Sequence, residues 1–288
     1  MAGKRFLALG LLALACETQV PPDPTPSILV DEGDFIMTGV DSAGRIYGLI
    51  SDYYYSYGDE LVRYTDTSRE VFLEDAECFH VKGNLLAPYG QHTLLLYDLR
   101  TDSLLASTDP GSSPEIVAIV DTARVLVVND DSFLLWNVKG GGINYLFGYY
   151  WEDMDDPYDY YYYRSLDVSW PLIILDDGEL LDSTGKVLED RGALGHDFVF
   201  WPGADSVLVF CSSAYPGYLG RLNRNTGQVI YYDNKVSGLS DARVPSVSPR
   251  NDIIVFGGNH GDREYDYWMM NAEYSYPTAY YLWKYPIR

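Results

Sequence analysis

A short hairpin recurs six times along this chain, and the recurrence limits the fold more than any other feature. Its fullest copy is Phe35-Ile-Met-Thr-Gly-Val40, the turn Asp41-Ser-Ala-Gly44, and Arg45-Ile-Tyr-Gly-Leu-Ile50. Two apolar arms flank residues that favour a tight turn, the pattern of two antiparallel strands. The arrangement returns at 78–81 with 85–88, 116–120 with 125–128, 165–168 with 172–175, 198–201 with 207–210, and 244–247 with 253–256. Beyond the leader no stretch carries a helical spacing of apolar residues, so the chain reads as all-β.

A second hairpin follows each first one, and its leading arm ends in a large residue and a polar turn. Examples are Leu94-Leu-Leu-Tyr97-Asp98, Phe133-Leu-Leu-Trp136-Asn137 and Leu222-Asn-Arg-Asn-Thr-Gly227. The marker residues Tyr64, Tyr97, Trp136, Leu181, Leu222 and Trp283 fall 33 to 61 residues apart. Four strands per repeat of about forty residues is the period of a propeller blade. The expectation is a six-bladed β-propeller of four-stranded antiparallel blades; on spacing alone, five or seven blades stay open. The sixth unit lacks a fourth strand before the chain stops, and Ile28-Leu29-Val30 is the available donor. Completing the last blade with the N-terminal strand would close the ring and hide an edge.

The residues Tyr97-Asp98, Thr226-Gly227 and Ser246-Val-Ser248-Pro249-Arg-Asn-Asp-Ile-Ile-Val-Phe256 resemble bacterial propellers of the WD40-like, TolB-like and quinoprotein-like kind. The resemblance covers about residues 28–288 and implies architecture only. The paired Gly-His and Trp-Asp signature of WD40 repeats is absent, as are a sialidase Asp-box and a calcium loop of the Asp-x-Asp-x-Asp-Gly type.

The N-terminus carries an address. Lys4 and Arg5 precede an apolar run, residues 6–15, that ends at Ala13-Leu14-Ala15-Cys16. That is a secretory leader, too short to span a bilayer. Ala15 directly before Cys16 resembles a bacterial lipoprotein signal, which implies cleavage before Cys16 and lipidation of its thiol. Ala13 departs from the usual Leu, and Ala13-x-Ala15 also suits the ordinary signal peptidase. Four prolines among residues 17–27 read as an extended tether. The expected organisation is a signal over 1–15, a tether over 16–27 and a propeller over 28–288. The expected location is the bacterial cell envelope, with the membrane reached through the lipid anchor alone.

With 42 acidic against 20 basic residues the formal charge is -22. A chain so acidic is repelled by phosphate backbones, so nucleic acid is not expected as a partner. No catalytic signature appears. The histidines His80, His92, His196 and His260 sit singly, without metal-ligand spacing, and read as strand or loop residues. His196-Asp197 has no visible nucleophile partner, and there is no Gly-x-Ser-x-Gly elbow. Neither a metal nor a cofactor is expected. Cys78 and Cys211 fall in the second and fifth units, across the ring from each other, while a disulfide needs Cα atoms within about 7 Å. They are expected as separate buried thiols.

Tyrosine is the outlier in composition, 27 residues against 10 Phe and 6 Trp. Most of the excess falls in three segments that break the repeat, at 52–58, 147–163 and 259–277. In an up-and-down blade, loops between strands two and three and loops between blades emerge at the same end of the ring. The three segments should therefore share a face. Tyr joins a large rigid contact area to a hydrogen-bonding tip, which suits recognition. The expected ligand-binding residues are Tyr53, Tyr54, Tyr55, Tyr57, Tyr149, Tyr150, Trp151, Tyr158, Tyr265, Tyr267 and Trp268. Tyr160 to Tyr163 also read as a strand leading into the fourth blade, and Glu152, Asp153, Asp155, Asp156 and Asp159 as a solvated acidic run. The leading reading is a lipid-anchored envelope propeller that binds a protein or glycan through this Tyr/Asp-rich face. The alternatives are an extracytoplasmic hydrolase or lyase with acids at the propeller mouth, and a surface protein whose face excludes other molecules.

Overall fold

A computed structural model describes residues 25–30, 34–51, 59–64, 68–129, 132–149, 166–211, 219–232, 243–247, 252–259 and 279–286. The leader, Cys16 and the first part of the tether lie outside the described residues. Apart from one 3-10 turn, Gly192–Leu194, every described element is a strand. In chain order these begin with β1 (Thr25–Val30), β2 (Asp34–Val40), β3 (Ile46–Ser51), β4 (Asp59–Tyr64), β5 (Arg69–Lys82), β6 (Leu85–Gly90), β7 (Thr93–Asp98) and β8 (Ser103–Thr108). They continue as β9 (Ile116–Asp121), β10 (Arg124–Asn129), β11 (Ser132–Asn137), β12 (Gly142–Gly148), β13 (Leu166–Ser169), β14 (Leu172–Leu175), β15 (Glu179–Leu181) and β16 (Val187–Asp190). The last are β17 (His196–Trp201), β18 (Ala204–Cys211), β19 (Leu219–Asn223), β20 (Gln228–Tyr232), β21 (Arg243–Val247), β22 (Asp252–Asn259) and β23 (Ala279–Pro286).

Three antiparallel sheets follow the chain four strands at a time: β9 to β12, β13 to β16 and β17 to β20. A fourth has the order β1-β23-β22-β21, and in it Leu29 of β1 lies opposite Tyr281 of β23. The first two repeats differ from the expected separate sheets. They share one seven-stranded sheet because β5 serves both: Arg69 to Leu73 pair with β4, and Ala76 to Lys82 pair with β6. Asp75, at a φ of 54°, marks the bend between those two halves. The fold is thus all-β and propeller-like.

Side-chain alternation explains how the sheets stack. Val117 and Ile119 of β9, with Val125 and Val127 of β10, pack towards the preceding sheet. Ile116, Ala118, Val120, Leu126 and Val128 of the same strands pack towards the following one, against Leu166, Ile173 and Leu181. The next interface repeats this, with Ile174 and Leu180 turned towards Phe198, Phe200 and Phe210. A strand buried on both faces needs an unbroken apolar run, and Ile116-Val-Ala-Ile-Val120 supplies one, all five side chains being buried. The fourth strands are the exposed ones, β8 and β16 above all.

The first strands line up in the order β2, β5, β9, β13, β17 and β21, each beside the next, with β21 also beside β2. They run in register at their ends: Ser42 N–H donates to Gly83 O, and Lys82 Nζ donates to Val120 O and Val168 O. Turns between strands one and two therefore collect at one end, and turns between strands three and four join them there. Leu99 N–H donates to Asn84 O, Val138 N–H to Ala123 O and Arg224 N–H to Ser206 O. The polar residue after the markers Tyr97, Leu181 and Leu222 caps the turn that follows. Asp98 Oδ1 accepts the Arg100 N–H at 2.9 Å, Asp182 Oδ1 the Thr184 N–H at 2.8 Å, and Asn223 Oδ1 the Asn225 N–H at 3.0 Å. We refer to this as the turn end. The longer connections, including all three that hold the Tyr-rich segments, leave from strand ends at the opposite, insert end.

Cys78 and Cys211 are both buried and not bridged to each other, as the repeat assignment requires.

Candidate functional site

The strand ends that bracket the Tyr-rich segments are Ser51 and Asp59, Gly148 and Leu166, and Asn259 and Ala279. Tyr149, the first residue past β12, is the one expected face residue within the described part. Tyr53, Tyr54, Tyr55, Tyr57, Tyr150, Trp151, Tyr158, Tyr265, Tyr267 and Trp268 lie outside it, as do Tyr160 to Tyr163 and the acids at 152–159.

Tyr149 is held at both ends of its side chain. Its ring meets Phe133 edge-on at 6.2 Å and 78°, and Phe133 in turn stacks on Phe147 at 4.6 Å. Its hydroxyl donates to the Glu179 carboxylate at the start of β15, in the next sheet. Burial and the nearby Glu179 charge both push the phenol above its usual value, so it stays a donor at neutral pH. Around Glu179 the backbone is tied down by carboxylates: Asp177 Oδ1 accepts the Glu179 N–H and Asp190 Oδ1 the Gly192 N–H, each at 2.9 Å. Gly178, at a φ of 93°, lets this loop touch the next connection, since a Cβ there would stand 2.7 Å from the Gly192 nitrogen. The result is a rigid acidic shelf beside the point where residues 150–165 leave the sheet. It can accept hydrogen bonds and attract cationic groups, and it contains no nucleophile and base in contact. Among the described residues no three His, Cys, Asp or Glu side chains are grouped to hold a metal ion.

A second polar centre lies on the first strands and joins four sheets. His80 Nδ1 accepts the Ile119 N–H at 3.2 Å, which leaves the ring proton on Nε2, 3.4 Å from Asp167 Oδ1. Asp167 Oδ2 accepts the Phe200 N–H at 2.8 Å, and the Lys82 ammonium reaches Val168 O at 2.7 Å and Val120 O at 3.2 Å. Burial would push the Asp167 carboxyl up, but His80, Lys82 and the Phe200 N–H outweigh it and hold the group below the usual carboxylate range. Burial likewise pulls the Lys82 ammonium down, with Asp167 and Asp121 partly restoring it. Both nitrogens of His80 are occupied, so the ring is a structural tie rather than a general base. His80 is a strand residue, in line with its isolation in the sequence, while no sequence motif marks its partners Lys82 and Asp167. Their signal is weak: Lys82 directly follows the arm 78–81 and Asp167 lies within the arm 165–168, each as a single charge.

No protein-family model and no curated protein matches the chain. Solved structures do match, among them a chain from a "Crystal Structure of Mitotic Checkpoint Complex" at 12% identity and a TM-score of 0.49, covering 89% of this chain and 82% of that one. At that level of similarity the match assigns neither a function nor a blade count. The propeller-like character rests on the sheets themselves, an architecture that in general presents interaction surfaces at the ends of its ring.

Proposed function

We propose that the protein is a lipid-anchored component of the bacterial envelope, a six-bladed propeller closed by its N-terminal strand, that binds a protein or glycan through the Tyr/Asp-rich insert end. One observation carries the reading: all three Tyr-rich segments are bracketed by strand ends of that same end, and one of them, 150–165, leaves beside the acidic shelf on which Tyr149 is fixed. Tyrosines there offer flat, weakly hydrated rings for aromatic hot spots or for stacking against sugar faces, while the shelf supplies acceptors. Closure is supported by the pairing of β1 with β23 and by the adjacency of β21 and β2.

Two experiments test it. Changing Tyr54, Tyr150 and Trp268 together to Ala should cut capture of envelope partners or glycans at least tenfold in a pull-down from native membranes, with the melting temperature unmoved. Capture that survives the triple change removes the Tyr-rich face from the reading. For closure, Leu29→Asp places a charge in the β1–β23 ladder and should cost about 2 kcal/mol, a fall of roughly 4–8 °C in Tm. An unchanged Tm would mean that β1 does not complete the last blade.

A further inference from the structure

We propose that the ring meets its membrane with the turn end, so that the Tyr-rich insert end points away from the bilayer. The inference rests on lipidation of Cys16, and two independent observations carry it beyond that reading. The first is the direction of β1. Thr25 lies opposite Lys284, and Lys284 lies opposite Ile254, close to the β21–β22 connection at the turn end. The tether therefore joins the fold at the turn end, and β1 climbs from there towards the insert end. Eight residues separate Cys16 from Thr25. At roughly 3 Å per residue they reach about 25 Å, while a six-residue strand is itself about 20 Å long. Turning the insert end to the bilayer would spend most of that reach on climbing past the ring. Less than about 10 Å would remain, at an end from which stretches of 7, 16 and 19 residues depart.

The second observation is the charge of the two ends. Arg45, Arg100, Arg124, Lys139, Lys186 and Arg224 lie in or beside connections of the turn end. Several are matched by acids of that same end: Arg45 pairs with Asp41 at 2.6 Å, Arg100 with Asp98 at 2.7 Å and Arg124 with Asp121 at 2.6 Å. That end is close to neutral. The insert end is not: Asp59, Glu74, Asp109, Asp177, Glu179 and Asp190 lie in or beside its connections, and among the described residues Arg191 and Arg243 are its Lys and Arg members. An anionic bilayer repels the acidic end and tolerates the neutral one, within a screening length of about 8 Å. Reach and charge select the same orientation, and it leaves the Tyr-rich end free to meet a partner beyond the membrane that holds the anchor.

Energy transfer on vesicles tests this with the full, acylated chain. A donor dye is placed by Lys139→Cys at the turn end or by Asp109→Cys at the insert end, both exposed positions; Cys78 and Cys211 are buried and leave the labelling selective. The vesicles are phosphatidylethanolamine and phosphatidylglycerol with a headgroup acceptor. Transfer from position 139 should exceed transfer from position 109 at least twofold. Equal or reversed transfer on vesicles that carry the protein overturns the orientation alone. Flotation with the vesicles, compared with a Cys16→Ala chain, separates the underlying reading: wild-type protein that fails to float overturns the anchor and the orientation together.

Discussion

Asp167→Asn should lower the stability of the fold by about 3 kcal/mol at neutral pH, read as a shift of the urea midpoint without a change of slope. The carboxylate accepts three donors, the His80 ring and the Val168 N–H on Oδ1 and the Phe200 N–H on Oδ2, and it faces the Lys82 ammonium. An amide has a single acceptor oxygen, so one of the two carboxylate oxygens is replaced by an NH2 turned towards a donor, and the charge opposite Lys82 is removed. The His80 and Phe200 contacts cross between sheets, so the loss falls on the packing of one sheet against another rather than on one hairpin. The effect should also depend on pH. Asp167 binds its proton less tightly in the folded state than in the unfolded chain, so the unfolded chain takes up more protons in acid. Its contribution is fully present above the unfolded value of about 4 and is lost as pH falls through the lower folded value. The difference between wild type and Asp167→Asn should therefore shrink as pH drops below about 4. A difference under about 1 kcal/mol at pH 7, or one that ignores pH, would mean that the carboxylate is not the tie between sheets.

Much of the fold was legible because its signals are local. The six inner hairpins recur in the structure close to where the apolar arms place them, since a strand packed on both faces needs a run such as Ile116-Val-Ala-Ile-Val120. Marker residues such as Tyr97, Leu181 and Leu222 were legible for a second reason: the Asp or Asn after each caps the turn that follows. The shared strand β5 was not legible. A fourth strand normally ends in a turn that carries a signal, whereas residues 69–82 bend at Asp75 without Gly or Pro, and the bend depends on Gly90, a residue of a different strand. The site divides in the same way. Tyr149 could be read from composition and position in the repeat, but its partner Glu179 lies thirty residues on, in the next sheet, and no local pattern links them. The tie among His80, Lys82 and Asp167 was hidden for the same reason, because single charges acquire meaning only when the sheets bring them together.

Gly90→Ala should be the costliest conservative change in the first two repeats, about 3 kcal/mol or more. Gly90 ends β6 opposite Ala76, where β5 passes from one repeat into the next. A Cβ built on Gly90 would lie 2.4 Å from the Asp75 carbonyl oxygen and 3.1 Å from the Ala76 Cα. Both obstacles are backbone, so no rotamer relieves the clash. The bend itself must move, and it is held by pairing on both sides: Leu61 with Leu73 before it and Cys78 with Tyr89 after it. Displacing it would loosen Ala76, Cys78 and Tyr89, all buried in the core shared by the first three repeats. Gly142→Ala is the matched control, an exposed strand glycine with nothing within 4 Å of its would-be Cβ. It should change stability by no more than about 0.5 kcal/mol in either direction. Equal urea midpoints for the two variants would show that β5 can bend without the close approach at Gly90, and the first two repeats would then be joined less rigidly than their shared strand implies.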